Sequence, residues 1–94
     1  MKDSIIDNEK VCFVCRTTEN LDPHHVFRGE GKRKCADEDG CYVWLCRYHH
    51  TMSDEAVHNN TPFRRTLEKY AQHLWEEKYG TREDFRRRYG KSFL

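Results

Sequence analysis

The chain has 94 residues, 36% of them apolar and 35% charged, with a formal net charge of +1. A chain this short is expected to form one domain (residues 1–94), and one this polar buries a thin core that needs a staple. The near-neutral balance argues against a uniformly basic nucleic-acid coat, the lack of any apolar run of about 18 residues argues against a membrane span, and an odd number of cysteines argues against a fully disulfide-bonded frame.

Residues 1–9 are polar, read as a frayed lead-in, and carry no signal-peptide pattern, so a reducing, cytoplasmic setting is expected. Residues 10–20 form a compact turn around Cys12 and Cys15. "LDPHHVF" (21–27) reads as a short extended segment, because Pro23 disfavours helix for Asp22. "RGEGKRKCADEDG" (28–40) is glycine-bearing and highly charged, and reads as a flexible connection. "CYVWL" (41–45) is β-branched and aromatic, the composition of a strand. A helix is expected over 47–58.

Further along, Thr61 is a fitting N-cap and Pro62 suits a first helical position. Phe63, Leu67, Tyr70, Leu74 and the Trp75/Lys78 level recur at helical spacing and read as a core-facing stripe. Gly80 would stop that helix. Thr81, with Asp84 three residues on, would cap a last helix over 82–89, ended by Gly90. These two C-terminal helices (61–94) are an extension to a core over 10–60, and offer a surface for a protein partner or a homodimer.

The chemistry lies in two half-sites. Cys12 and Cys15 share the two-residue gap of Cys46 and His49. Zinc takes four tetrahedral ligands in a structural site, and a two-residue gap lets a tight turn aim both side chains at one ion. Such a site contributes roughly 10–16 kcal/mol of apparent folding free energy in zinc-finger peptides, enough to fold a polar chain. Cys35 or Cys41 could replace His49 as the fourth ligand, but their spacing is poorer and they read as free thiols.

The set leaves His24, His25 and His50 over. Imidazole is both a common transition-metal ligand and a general base near neutral pH, so a second, catalytic metal site is the sharper reading. There is a geometric tension, since neighbours on a regular strand face opposite ways. Basic residues cluster at Arg28, Lys32, Arg33 and Lys34, and again at Arg82, Arg86, Arg87, Arg88 and Lys91; clusters of this kind can neutralise phosphates.

The order of these features resembles the HNH endonucleases, the ββα-metal family whose zinc-stabilised members have a treble-clef-like knuckle. The resemblance runs over residues 12–58, through "CFVC", "PHHVF", "RGEGKRK", "YVWLC" and "RYHH". With "AVHNN" and "FRRRYGKSFL", the whole chain is similar to small HNH-like proteins of phages and prophages. The resemblance implies a small α+β fold with a zinc-stabilised ββα core, followed by two helices. It implies a metal-dependent endonuclease acting on DNA, in the cytoplasm of a bacterial host.

By position, His25 matches the general base, and His24 and His50 match ligands of a catalytic divalent ion: magnesium, manganese, nickel or zinc. Arg28, Lys32, Arg33 and Lys34 would grip the DNA backbone. His58 is a further candidate ligand or phosphate contact. On an ideal helix, however, it lies about 12 Å along the axis from His50, too far to share an ion unless the helix bends or ends early. Asp54, four residues after His50, is better spaced. Cys41 stands where the family has a middle asparagine that holds the general-base loop, which leaves Asp39 and nearby backbone as substitutes. The alternatives to an enzyme are a catalytically inactive zinc module that binds nucleic acid, and a phage factor that binds a host protein.

Overall fold

The computed structural model describes residues 2–29, 31–52 and 56–94. It is a small α+β structure in the order β1 (Leu21–His25), α1 (Lys32–Asp39), β2 (Tyr42–Cys46), a π-helical turn (Tyr48–Met52), α2 (Thr61–Lys78) and α3 (Arg82–Tyr89). The strands pair antiparallel, with Leu21 opposite Cys46, Pro23 opposite Trp44 and His25 opposite Tyr42. A two-stranded sheet has only edges, so Pro23 costs no ladder bond on its outer side. Backbone bonds lengthen the pairing at both ends, from Val26 N to Cys41 O at 3.0 Å and from Arg47 N to Asn20 O at 3.0 Å.

Three expectations need correction. Residues 28–40 are not all flexible connection, because Lys32–Asp39 form α1. Only Ala36 and Asp39 of that helix are buried, so it has no apolar stripe to reveal it. The glycines that suggested a loop are its ends: Gly31 and Gly40 both adopt left-handed conformations, and Gly40 closes the helix through its backbone N–H. Gly40 is needed a second time, since a Cβ there would collide with the Asp3 carbonyl oxygen.

The lead-in is also tied down. Ser4 is buried and donates to the Tyr42 carbonyl, Ile5 N bonds Gly40 O at 2.9 Å, and the Tyr42 hydroxyl donates to the Lys2 carbonyl. Third, the helix expected over 47–58 is reduced to the π-helical turn, and past residues 53–55 the chain turns back, with Val57 N bonded to His49 O at 2.8 Å. Asp54 lies outside the described residues.

The C-terminal helices follow expectation more closely. Asn60, not Thr61, caps α2, its side chain accepting from Phe63 N. The stripe is Leu67, Ala71 and Trp75, with Phe63 packed against its edge, while Tyr70 is exposed. Thr81 and Asp84 complete the capping box on α3, and Gly90 ends it. The buried core joins both helices to the hairpin: Phe27 meets Phe85 of α3 at 5.1 Å and Tyr89 at 4.8 Å between ring centroids, and Trp75 of α2 meets Phe85 at 5.3 Å.

One buried carboxylate joins the helices to α1. Asp39 accepts from Trp75 Nε1 at 2.8 Å, Tyr89 OH at 2.7 Å and Arg88 Nε at 2.6 Å. Burial alone would push this carboxyl up, but the three donors outweigh it and hold it below the usual range. Replacing Asp39 with alanine leaves two buried donors and a guanidinium without their acceptor. Asp39→Ala should therefore cost on the order of 3 kcal/mol in urea denaturation. A loss below about 0.5 kcal/mol, the scale of an ordinary surface substitution, would contradict this account.

Candidate functional site

Two groups of metal-competent side chains flank the hairpin, the first at the end where β1 begins and β2 ends and the second beside His24, further along β1. The first is Cys12, Cys15, Cys46 and His49, whose ligand atoms lie within 4.8 Å of one another. The knuckle that presents the first pair is a tight turn: Arg16 N bonds Cys12 O at 2.9 Å, and Arg16 takes a left-handed φ of 65°. Phe13 N then bonds Trp44 O at 2.8 Å, which docks the knuckle on β2. The second pair comes from the last residue of β2 and the first π-helical turn.

The spacing of the donor atoms fits a tetrahedral ion. Cys12 Sγ is 3.7 Å from His49 Nδ1, Cys46 Sγ is 3.3 Å from the same nitrogen, and Cys15 Sγ is 3.8 Å from Cys46 Sγ. Bonds of about 2.3 Å to sulfur and about 2.0–2.1 Å to nitrogen put tetrahedral ligand atoms roughly 3.5–3.8 Å apart. Burial pushes the Cys12 thiol up, but backbone hydrogen bonds at Cys15, Cys46 and Val14 outweigh it and bring it down to about 6. This favours the thiolate that a metal needs. The four residues form a Cys3His site able to hold a structural metal.

Cys35 and Cys41 lie outside this set. Cys35 Sγ faces the Arg88 carbonyl at 3.9 Å. Cys41 is fully buried under Tyr89, and burial drives its thiol up to about 12, the behaviour of a core residue.

The second group is His24, His50 and His58, again with ligand atoms within 4.8 Å of one another. His58 reaches the site because no straight helix follows His50. Its Nε2 lies 3.0 Å from His50 Nε2, so the 12 Å separation expected from an ideal helix does not apply. His24 is buried and its Nε2 has no hydrogen-bond partner. Burial, reinforced by the neighbouring His58 and His50, pushes His24 down to about 3 and keeps it neutral. A buried lone pair or N–H with no partner is costly, and a ligand at that atom would relieve the cost.

Hydrogen-bond chemistry fixes the tautomers of the other two rings. Arg28 Nη1 can only donate, and it lies 2.8 Å from His58 Nδ1. His58 therefore carries its proton on Nε2 and donates it to His50 Nε2. That leaves the His50 proton on Nδ1, 3.6 Å from Asp22 Oδ2. Asp22 thus faces the Nδ1 side of His50 across a gap longer than a hydrogen bond. An ion here would take a lone pair from His24 directly, and that of His50 once His58 no longer donated to it. It would gain His58 only if that ring moved its proton to Nδ1, where Arg28 could no longer donate.

His25 does not join this cluster. Regular strand alternation holds, and His25 faces the other way, 3.1 Å from Asp37 Oδ1 through Nε2. Asp37 is a functional candidate that the sequence reading missed. Its signal would have been a carboxylate one α1 turn from Arg33, visible only once 32–39 is recognised as helix. Asp39, the substitute expected for the middle asparagine, is instead committed to α2 and α3.

A cleft of about 210 Å³ brings the two histidine faces together, lined by Pro23, His24, His25, Arg28, Arg33, His50 and His58. A neighbouring one adds Lys34 and Asp37 beside His25 and Arg33. Of the four basic residues expected to meet DNA, Arg28, Arg33 and Lys34 thus border the site. Lys32 lies instead over the Phe93 ring, at 5.9 Å. Of the second basic cluster, Arg82, Arg86, Arg87 and Arg88 are each paired with carboxylates of their own surface. Among the described residues, no helix is long and apolar enough to cross a membrane.

The purified protein should carry about one equivalent of tightly held zinc, by elemental analysis, and Cys46→Ser should lose both the metal and the cooperative thermal transition. Cys35→Ser should keep full zinc; a loss of zinc there would show that the fourth ligand is misassigned. In comparisons with known proteins, the chain matches no protein-family model, and no curated protein or solved structure matches it significantly.

Proposed function

We propose that this protein is a metal-dependent endonuclease of HNH type, which hydrolyses phosphodiester bonds in DNA from the cleft between His24, His25, His50 and His58. The observation that carries the reading is the buried His24, whose Nε2 has no hydrogen-bond partner, grouped with two further imidazoles and sharing a cleft with His25, itself paired with Asp37. The Cys3His knuckle behind the same hairpin supports a zinc-stabilised, treble-clef-like core. The π-helical turn departs from the ββα pattern, and the bond from Val57 N to His49 O brings His58 back beside it.

In this reading His25 is the general base. Asp37 accepts the His25 Nε2 proton, which fixes the ring and leaves Nδ1 free to take a proton from water. That water attacks phosphorus in line, the bond to the 3′ oxygen breaks, and solvent protonates the leaving oxygen. His24 and His50 would hold a divalent ion, which would supply stabilisation of the charge that develops on the phosphoryl group. Imidazole ligation admits manganese, nickel or zinc more readily than magnesium. Arg28 and Arg33 hold the phosphate against the histidines, and Lys34 meets the backbone beside it. Asp37 does for His25 what the asparagine missing at Cys41 would have done.

Nicking of supercoiled plasmid across magnesium, manganese, nickel and zinc tests the proposal. His25→Ala should abolish cleavage while zinc content and thermal transition stay unchanged, and nicking at the wild-type rate would refute the base assignment. Asp37→Ala should slow cleavage by up to roughly 10²-fold, the scale of a misplaced catalytic group. DNA binding with no divalent-dependent cleavage at all would select the inactive nucleic-acid-binding module.

A further inference from the structure

The C-terminal extension has no place in the minimal nuclease core, yet it builds a second cleft. This one has a volume of about 410 Å³ and is lined by Arg28, Arg64, Arg65, Glu68, Lys69 and Lys91, with the 92–94 segment closing one side. Five basic side chains there face one acidic one. Among the described residues, none of the five has a carboxylate within ion-pair distance. The arginines of α3 behave differently. Arg82 pairs with Glu76 at 3.4 Å, Arg86 with Glu83 at 3.2 Å, Arg88 with Glu38 at 3.1 Å, and Arg87 with Asp84. A net charge of +1 thus hides a division, with one basic face neutralised and the other left open.

The open face is continuous with the histidine cleft, because Arg28 lines both. Glu68 reports the field of this face from inside: burial raises its carboxyl, while Arg64, Lys91, Arg65 and Arg28 all act against that rise. Planar guanidiniums left without carboxylates suit bidentate phosphate contacts.

We propose that this cleft carries the sugar–phosphate backbone of duplex DNA to one side of the scissile bond, held by Arg28, Arg64, Arg65, Lys69 and Lys91. The identity of the polyanion rests on the nuclease reading above; the path along α2 does not follow from that reading. The extension is then the arm that holds the substrate in register with the histidines, without reading sequence.

The test is fluorescence anisotropy of a labelled duplex with zinc-loaded full-length His25→Ala protein, titrated across salt without added divalent ion. Arg64→Ala/Arg65→Ala/Lys91→Ala in that background should flatten the slope of log K against log salt by about 2.7, at about 0.9 per phosphate contact. Arg82→Ala/Arg86→Ala/Arg87→Ala, on the neutralised face, should leave the slope unchanged. Glu68→Gln should tighten binding several-fold, a gain that misfolding cannot produce. An unchanged slope in the cleft variant, or an equal loss in the α3 variant, overturns the strand path and leaves the nuclease reading standing. Absence of any DNA binding before the cleft is altered overturns the substrate assignment and the path together.

Discussion

The antiparallel register of β1 against β2 is the constraint on which the rest depends. With Leu21 opposite Cys46, the end of β2 lies beside the start of β1, and the Cys12–Cys15 knuckle docks there through Phe13 and Trp44. One residue of slip would turn His24 and His25 to each other's faces and carry Cys46 away from the knuckle. The same alternation that separates the two histidines of β1 gives each its partners: a metal-competent cluster for His24 and a carboxylate for His25. A wide π-helical turn then separates His49 from His50, so that adjacent residues serve different groups.

Stability and chemistry are divided accordingly. The Cys3His group lies where a small polar chain needs a staple. The three-histidine group contains a buried nitrogen with no hydrogen-bond partner, a cost that a ligand there would relieve. On the far side of the hairpin, Asp39 gathers Trp75, Arg88 and Tyr89 and so locks α2 and α3 to α1. That lock fixes the direction of α2, and with it the placement of Arg64 and Arg65 beside Arg28.

Much of this was legible in the sequence where the signal is local. The matched two-residue gaps identify Cys12, Cys15, Cys46 and His49, which do come together, and Thr81 with Asp84 identifies the start of α3. The rest depends on tertiary context. Helix α1 has no apolar periodicity and is flanked by glycines that read as loop, so Asp37 could not be placed against His25. His58 is eight residues from His50, a distance that excludes a shared site on a regular helix and permits it only where the chain folds back. The basic cluster of α3 looked like a phosphate grip, but its carboxylates lie three residues away or on other helices, whereas the open cations Arg64, Arg65 and Lys69 of α2 are joined by Arg28 and Lys91 only in the fold.

The central proposal is that one hairpin serves two separate ions, one held by three thiolates and His49 and the other by imidazoles alone. Cobalt titration of the metal-free protein, followed by visible absorption, tests it most directly. The first equivalent should produce thiolate-to-cobalt charge transfer, and a second should bind without adding to that band and be lost in His50→Ala. Saturation at a single equivalent, or growth of the thiolate band through the second, would contradict it.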